Sequence, residues 1–339
     1  MVNSKFWKDK KVLVTGHTGF KGSWLSIILA YLKADVVGIS LNPNSENNLY
    51  DCANLKNIIK SVILDINDYE KLHKTIKKEQ PEIIIHMAAQ ALVIDSYHNP
   101  LQTYRTNIIG TAYILNIGRE IDSVKTILNV TSDKCYENTE TKKPYSEFDR
   151  MGGHDPYSSS KGCSELITAS YLQSYYSKLN KGLASARAGN VIGGGDWSEN
   201  RLIPDIFRSI ENSTTLNIRY PNSIRPWQHV LDPLFGYIRL VELLYSNPLK
   251  YSSGWNFGPE ESNNMTVAQV IDLLLNKLDI ESHYNHGHEE NFHEASLLML
   301  DISKSKDLLG WHPKWDINKS IDNIASWYQA YKNKEDIFK

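Results

Sequence analysis

The sequence has 339 residues and a formal net charge of -2 at pH 7, with 41% hydrophobic and 22% charged residues. This length predicts about two domains, and the balanced charge argues against a protein that binds nucleic acid or a membrane surface. Three cysteines without a C-x-x-C pair predict neither a disulfide framework nor a metal site. With no apolar signal region and no apolar run of membrane-spanning length, we expect a cytoplasmic protein.

The first predicted element is a short buried strand over residues 11–15 that runs into a glycine-rich turn. The turn has the spacing G-x-x-G-x-x-G, and a helix is predicted from Ser23 onwards. Strand, glycine turn and helix is the order of a dinucleotide site, in which the pyrophosphate lies on the N-terminus of the helix. The alternative is a glycine turn without a ligand. The cofactor-binding residues predicted in the turn are Gly16, Thr18, Gly19, Phe20 and Gly22.

Five further predicted strands alternate with helices along the first half of the chain. They are expected at 35–41, 62–66, 81–90, 126–131 and 183–187. This alternation predicts an α/β fold with a Rossmann-type, doubly wound parallel sheet, whose site lies at the carboxyl ends of the strands. Residues 1–188 are predicted to form this cofactor domain. Residues 189–339 are predicted to form a smaller, interleaved, mixed α/β substrate domain, with part of 226–250 packing back on the first.

The strand ends supply the other predicted cofactor contacts. At the end of the second strand, Ser40 and Asn42 stand where an acidic residue would bind the ribose 2′-hydroxyl of NAD. No arginine lies there to accept a 2′-phosphate, so NAD is favoured over NADP. The remaining predicted cofactor contacts are Ser40, Asp65, Ile66, Ala88, Ala89, Gln90, Asn107, Tyr157 and Lys161.

Tyr157 and Lys161 are four residues apart in a predicted helix that begins after Asp155 and Pro156. Their side chains therefore share one face of the helix. A phenol has a pKa near ~10, and a neighbouring ammonium favours the phenolate. Such a phenolate can take the proton of a sugar hydroxyl while hydride leaves the same carbon. The alternative is a chance pairing of two common residue types.

A polar turn, Thr131-Ser132-Asp133-Lys134, follows the fifth predicted strand. By the strand-end rule its side chains face the nicotinamide end of a cofactor. The hydroxyl of Ser132 can hold the oxygen that Tyr157 deprotonates. Asp133 and Lys134 add a proton donor and a second base, which a simple dehydrogenase does not need. The alternative is a surface ion pair in a turn.

Residues 15–22 and 157–161 resemble the extended short-chain dehydrogenase/reductase family, the NAD-dependent epimerases and dehydratases. Runs at 131–137, 187–197, 225–230 and 309–315 resemble its 4,6-dehydratases that act on CDP-glucose. The resemblance implies NAD as cofactor, oxidation of C4, loss of water across C5–C6 and return of hydride to C6. The product would be a 4-keto-6-deoxy sugar nucleotide for deoxysugar and O-antigen biosynthesis. The enzyme would be a homodimer or homotetramer.

The resemblance also implies roles for the catalytic residues. Tyr157 would be the C4 base, helped by Lys161 and Ser132, and Asp133 would protonate the leaving C6 hydroxyl. Lys134 replaces the glutamate of dTDP-sugar dehydratases, and it would act as C5 base or as enolate stabiliser. A 4-epimerase would need neither Asp133 nor Lys134. Two further hypotheses are a dehydratase of a different nucleotide sugar and a redox-inactive NAD-binding regulator.

A nucleotide sugar also needs groups that bind its diphosphate, and arginines form strong paired bonds with phosphate. The second half of the chain offers Arg201, Arg208, Arg219 and Arg225. Each could equally be a solvated surface residue. The predicted substrate-binding residues are Asn190, Arg201, Arg208, Arg225 and Asn256.

Overall fold

The computed structural model of the chain describes residues 2–139, 143–218, 220–281, 284–286 and 298–335. Within these ranges, seven parallel strands form the central sheet: β1 (Lys11–Thr15), β2 (Asp35–Ser40), β3 (Lys60–Ile63), β4 (Ile83–His86), β5 (Thr126–Val130), β6 (Gly182–Ala188) and β11 (Gly254–Phe257). Three two-stranded pairs are formed by β7 (Val191–Ile192), β8 (Leu216–Ile218), β9 (Ile224–Pro226), β10 (Gln228–His229), β12 (Asn264–Thr266) and β13 (Tyr284–His286).

The order of the central sheet is β11-β6-β5-β4-β1-β2-β3, and every neighbouring pair is parallel. Because β1 lies between β2 and β4, the direction of winding reverses there, and a crevice opens at the carboxyl ends of these strands. The predicted α/β, doubly wound fold is therefore confirmed. The seventh strand, β11, was not predicted, because four residues with a polar Asn256 between two aromatic residues carry no clear strand pattern.

Helices cover both faces of the sheet. They are α1 (Ser4–Trp7), α2 (Phe20–Tyr31), α3 (Leu49–Cys52), α4 (Tyr69–Glu79), α5 (Val93–His98), α6 (Pro100–Tyr104), α7 (Gly110–Glu120), α8 (Pro156–Tyr171), α9 (Ser177–Leu179), α10 (Leu202–Asn212), α11 (Leu231–Ser246), α12 (Pro248–Tyr251), α13 (Val267–Lys277), α14 (Ser303–Leu309) and α15 (Ile317–Lys332). Among the described residues, no helix is both long and apolar enough to cross a bilayer.

Side chains of β1 show how the two faces are used. Val12 and Val14 belong to the core that includes α2 and α11, whereas Leu13 points into the core that includes α4 and α7. Successive residues of a strand face opposite sides, so a strand buried on both sides reads as a continuous apolar run. Because α11 packs on this face and β11 joins the edge, two segments of the second half of the chain complete the sheet layer.

The turn between β1 and α2 depends on two of its glycines. Gly16 has a φ of 80°, which favours glycine, and a Cβ there would lie 2.9 Å from the backbone nitrogen of Ala88. A Cβ on Gly22 would lie 2.0 Å from the carbonyl oxygen of Gly16. The helix can therefore start this close to β1 only because both positions lack a side chain.

Asn107 lies in one continuous helical segment, which consists of α6, a π-helical stretch over Arg105–Ile109, and α7. It packs beside α8, which begins as the sequence predicts. The side chain of Asp155 caps α8 by accepting a 2.9 Å hydrogen bond from the backbone nitrogen of Ser158, and Pro156 occupies the first turn. The capped end of α8 thereby fixes the direction of the Tyr157 and Lys161 side chains.

The remaining helices build a second apolar core. The buried faces of α10, α13 and α15 meet there, and the rings of Phe207 and Tyr328 stack with centroids 3.9 Å apart. The β8–β13 pair borders this core. This layer stands beyond the carboxyl end of β6 and forms the far wall of the crevice.

Candidate active site

A cleft of about 1160 Å³ runs along the carboxyl ends of the strands. It is lined by residues that directly follow six of them, from the glycine turn after β1 to the loop after β6. This is where an open, parallel sheet binds its ligands. The predicted cofactor residues that line it are Gly16, Thr18, Gly19, Phe20, Gly22, Ser40, Asp65, Ile66, Ala88, Ala89 and Gln90, together with Tyr157 and Lys161.

Asn107 does not line the cleft but holds part of its wall. Its side-chain oxygen accepts a 2.8 Å hydrogen bond from the backbone nitrogen of Gln90, and its amide donates to the Gln90 carbonyl at 2.9 Å and to Ser160 at 2.8 Å. The residue is 1% exposed. It therefore fixes the backbone after β4 against α8, which is a positioning role next to the predicted cofactor path.

The end of β2 offers hydroxyl groups to a ribose. The Thr18 hydroxyl is 2.8 Å from that of Ser40 and donates to the Leu41 carbonyl at 2.9 Å. The carboxylate of Asp65 accepts from the backbone and the side chain of Asn67 at 2.9 and 3.0 Å. These bonds orient the polar groups at the end of the cleft where the sequence predicts the adenosine part of a dinucleotide.

The predicted acid/base turn is a single 3₁₀ turn, Asp133–Cys135, after β5. The hydroxyl of Ser132 accepts from the backbone nitrogen of Lys134 at 3.2 Å and donates to the Asp133 carboxylate at 2.9 Å. Burial raises the pKa of Asp133, although the charge of Lys134 opposes the shift. A raised pKa favours the protonated carboxyl, which is the form that a general acid needs.

Tyr157 and Lys161 occupy neighbouring turns of α8, and the Lys161 ammonium is 5.9 Å from the centre of the Tyr157 ring. Burial raises the pKa of Tyr157 to about 12, and the neighbouring Ser132 hydroxyl opposes that shift while the Asp133 carboxylate strengthens it. Burial lowers the pKa of Lys161 to about 8. Burial therefore outweighs the Ser132 hydrogen bond and the charge of Arg201, and it raises the pKa of Tyr157 where the sequence predicts a lowered one.

The sequence analysis overlooked Lys21, which lies between the second and third glycines of the turn and lines the cleft. Burial lowers its pKa to about 8, with the positive charges of Arg201 and Lys161 acting in the same direction and the Asp133 carboxylate against it. Lys21 therefore faces the acid/base turn. The sequence did contain a signal for it, since a lysine within a glycine-rich dinucleotide turn is placed to face the bound ligand.

The predicted substrate residues divide into two groups. Asn190, Arg201, Arg208 and Arg225 line the cleft, and Arg219 lies outside the described residues. Asn256 is fully buried and is not part of the lining. Its amide donates to the carbonyls of Tyr145 and Asp301 at 2.9 and 3.1 Å, and its oxygen accepts from the Tyr136 hydroxyl at 2.7 Å. The structure does not bring Asn256 to the cleft, so it has no place in the proposed substrate site.

Partners within the protein hold the guanidinium groups of Arg201 and Arg208. Arg201 forms a 3.0 Å ion pair with Asp196. Arg208 pairs with Asp205 and also donates to the carbonyls of Trp197 and Ser198 at 2.9 and 3.0 Å. These bonds hold the two guanidinium groups in place at the wall of the cleft that α10 and the segment before it form.

Comparisons with known proteins identify relatives of this chain. A family model described as GDP-mannose 4,6 dehydratase matches residues 13–324. A CDP-glucose 4,6-dehydratase of Salmonella typhimurium is 46% identical over 342 residues, which cover 99% of this chain and 95% of the relative.

Solved structures resemble the fold at lower identity. One is a dTDP-glucose 4,6-dehydratase of Bacillus anthracis in complex with NAD, with a TM-score of 0.79 and 20% identity over 97% of this chain and all of that one (100%). Another is a UDP-glucose 4-epimerase of Thermotoga maritima with UDP-glucose, with a TM-score of 0.82 and 21% identity over 95% of this chain and 99% of the other. At these identities the similarity shows a shared fold, which dehydratases and epimerases both use.

Proposed function

Because the chain belongs to the GDP-mannose 4,6 dehydratase family, a family of NAD-dependent nucleotide-sugar dehydratases, we propose that it converts CDP-glucose to CDP-4-keto-6-deoxyglucose and water. The observation that carries the proposal is the joint position of two groups in one cleft. Asp133 and Lys134 follow β5, and Tyr157 and Lys161 face them from α8. The Salmonella relative, similar over its whole length, supports the choice of CDP-glucose.

The residues after β1 fit the dinucleotide NAD. Gly19 is the N-cap of α2 and lines the cleft. The atom nearest to a Cβ built on Gly19 is the carbonyl oxygen of Gly16, at 3.4 Å, so the space in front of this turn is open. A pyrophosphate can therefore approach the amides at the start of α2. When bound, NAD supplies reversible hydride transfer, first from C4 of the sugar and then to C6, so it is regenerated. Ser40 would bind the adenosine ribose, and Lys161 would bind the ribose next to the nicotinamide.

The side chains of the chain would then divide the proton transfers among them. Tyr157 takes the proton of the C4 hydroxyl, and the positive charge of the oxidised cofactor favours its phenolate against the effect of burial. Ser132 holds the C4 oxygen. The resulting ketone acidifies the C5 proton, and Asp133 donates its proton to the departing C6 hydroxyl.

Lys134 is the second participant in the elimination. In the neutral form it would take the C5 proton. In the cationic form it would instead stabilise the enolate. In both roles it acts from the same turn as Asp133, and its side chain lines the cleft. Loss of C5 exchange with solvent in Lys134→Met would support a direct role in either form.

Turnover of nucleotide sugars tests the proposed function. The protein should convert CDP-glucose in the presence of NAD to a product with the alkaline absorbance of a 4-keto sugar. UDP-glucose, dTDP-glucose and GDP-mannose serve as competing substrates. A keto product from one of these but not from CDP-glucose would overturn the substrate assignment. Formation of CDP-galactose from CDP-glucose, without a keto product, would indicate a 4-epimerase. No turnover of any of these nucleotide sugars would indicate an NAD-binding regulator.

The exposed face of α6, α7 and α8 favours a homodimer, as the family resemblance implies. Leu101 and Leu166 are 83% and 60% exposed, and Ile109, at the end of the π-helical stretch, is 43% exposed. Leu166→Glu should convert the protein to a monomer in equilibrium sedimentation, because a carboxylate would be buried in the apolar interface. Leu249→Glu is the control, since Leu249 is 74% exposed on α12. A wild-type protein that sediments as a monomer at micromolar concentration would contradict the dimer. A tetramer would need a second interface.

The three cysteines are free thiols. A reducing compartment such as the cytoplasm suits them, and it remains our proposed location.

A further inference from the structure

A buried ion pair lies directly behind the acid/base turn. Glu165 in α8 and Arg187 in β6 are 4% and 5% exposed, and the Arg187 Nη2 donates to the Glu165 carboxylate at 2.8 Å. Neither residue lines the cleft. They cannot touch a substrate there, so any part they play in the reaction passes through other residues.

Glu165 continues the catalytic face of α8. It follows Lys161 by four residues and Tyr157 by eight, which is the spacing of side chains on one side of a helix. Burial would raise the pKa of Glu165, but Arg187 and the hydrogen bonds from Ser185 and Thr131 hold it below its usual value. The carboxylate is therefore ionised, and it accepts hydrogen bonds from Arg187, Ser185 and Thr131.

The ion pair is hydrogen-bonded to both ends of the acid/base turn. Thr131, immediately before Ser132, donates to the Glu165 carboxylate at 2.5 Å. Tyr136, at the far end of the turn, accepts a 2.7 Å hydrogen bond from the Arg187 Nη1. Two separate bonds thus fasten the segment that carries Asp133 and Lys134 to one buried charge pair.

The surrounding structure fits the guanidinium closely. A Cβ on Gly254 of β11 would lie 2.2 Å from the Arg187 Nη2, so a glycine is needed to make room for it. The Tyr136 hydroxyl in turn donates to Asn256 of the same strand at 2.7 Å. Asn256, first predicted to bind substrate, is therefore the outer member of this network.

We propose that the Glu165–Arg187 pair is a positioning pair that sets the acid/base turn against Tyr157 and controls elimination more than C4 oxidation. The inference depends on the proposed dehydratase function. Tyr157 and Lys161 keep their relative positions through α8 itself. Asp133 and Lys134 sit on a short turn, which is held by backbone hydrogen bonds to β6 and to Gly152 and by the side-chain bonds of Thr131 and Tyr136 to the buried pair. Loosening either bond should therefore misplace the groups that remove water and spare those that oxidise C4.

Thr131→Val and Tyr136→Phe test this, because each removes one hydroxyl and keeps the shape of the side chain. Product formation should fall about 10–100-fold, the effect of a catalytic group displaced by about 1 Å. In a single turnover, the near-ultraviolet absorbance of the reduced cofactor should rise as fast as in the wild type and then persist, because oxidation is retained and elimination is slow. Thr131→Ser, which restores the hydroxyl, should restore the wild-type time course.

Ser185→Ala is the matched control. The Ser185 hydroxyl also donates to the Glu165 carboxylate, at 2.6 Å, but Ser185 lies in β6 and has no part in the turn. This variant should lose thermal stability as Thr131→Val does, and keep the wild-type balance between oxidation and elimination. Two results would leave the pair with only a structural role. One is a changed ratio of C4 oxidation to elimination in Ser185→Ala, and the other is an equal loss of C4 oxidation and elimination in Thr131→Val and Tyr136→Phe.

Two outcomes separate this inference from the proposed function. If wild-type protein forms no 4-keto product from any of the four nucleotide sugars, the proposed function fails. If the wild type turns over and the Thr131→Val and Tyr136→Phe variants keep its rate, the positioning role fails alone. Glu165→Gln provides a further check, since it keeps the size of the side chain while removing its charge, and it should reproduce the persistent reduced cofactor.

Discussion

Replacing Tyr157 with phenylalanine should lower turnover about 10³-fold, within the range for loss of a positioned general base. The phenol is the proposed base for the C4 hydroxyl. The Ser132 hydrogen bond lowers its pKa, and the Asp133 carboxylate raises it. Phenylalanine preserves the packing of the ring at the start of α8. The loss should therefore fall on the first chemical step, with no reduced cofactor formed in a single turnover.

The measurement is rapid mixing of enzyme, NAD and CDP-glucose, followed by near-ultraviolet absorbance and by product analysis. Tyr237→Phe is the control, because Tyr237 is fully buried and its hydroxyl has no hydrogen-bond partner among the described residues. That variant should keep the wild-type rate and be no less stable, since no bond is lost. Formation of reduced cofactor at the wild-type rate in Tyr157→Phe would remove Tyr157 from the role of base.

Local sequence patterns predicted the central architecture well. The limits of β1 coincide with the predicted strand, and α8 starts at Pro156 behind its Asp155 cap. These features depend on residues within a few positions of one another, such as an apolar run, a glycine turn or a capping carboxylate. The turn that carries Asp133 also lines the cleft, because a turn after a parallel strand lies at the carboxyl edge of the sheet.

Features that depend on contacts distant in sequence were not predictable in this way. Glu165 and Arg187 each read as an ordinary charged residue, and only the fold brings them together behind the turn. Asn256 was predicted to bind substrate, yet it lies in β11, and its side-chain amide bonds to Tyr136, Tyr145 and Asp301 inside the protein. Strand pairing of β11 with β6 is likewise a tertiary contact.

The pKa values of buried groups were the property that the sequence predicted least well. The Tyr157–Lys161 spacing predicted an acidic phenol, but depth of burial decides the sign, and the pKa of Tyr157 rises to about 12. Spacing along a helix fixes which side chains are neighbours, whereas burial requires knowledge of everything packed around them. The ionisation that catalysis needs must therefore come from the bound cofactor and substrate as well as from the helix.

Asp133→Asn should lower product formation about 10²–10⁴-fold while C4 oxidation continues. The asparagine cannot donate a proton to the departing C6 hydroxyl, but Tyr157, Lys161 and Lys134 are all left in place. Because burial already raises the pKa of Asp133, a neutral amide of the same shape should not reduce the thermal stability of the protein. The variant should accumulate reduced cofactor with the 4-keto intermediate still carrying its C6 hydroxyl.

Exchange of the C5 hydrogen in deuterium oxide distinguishes Asp133 from its neighbour. In Asp133→Asn the C5 hydrogen should still exchange, because Lys134 can act on the ketone even when water cannot leave. In Lys134→Met, reduced cofactor should also form, but C5 exchange should be lost. Equal exchange in the two variants would mean that the turn does not divide acid and base between adjacent residues. Unchanged product formation in both variants would remove Asp133 and Lys134 from the elimination, and other groups of the cleft would have to supply the acid and the base.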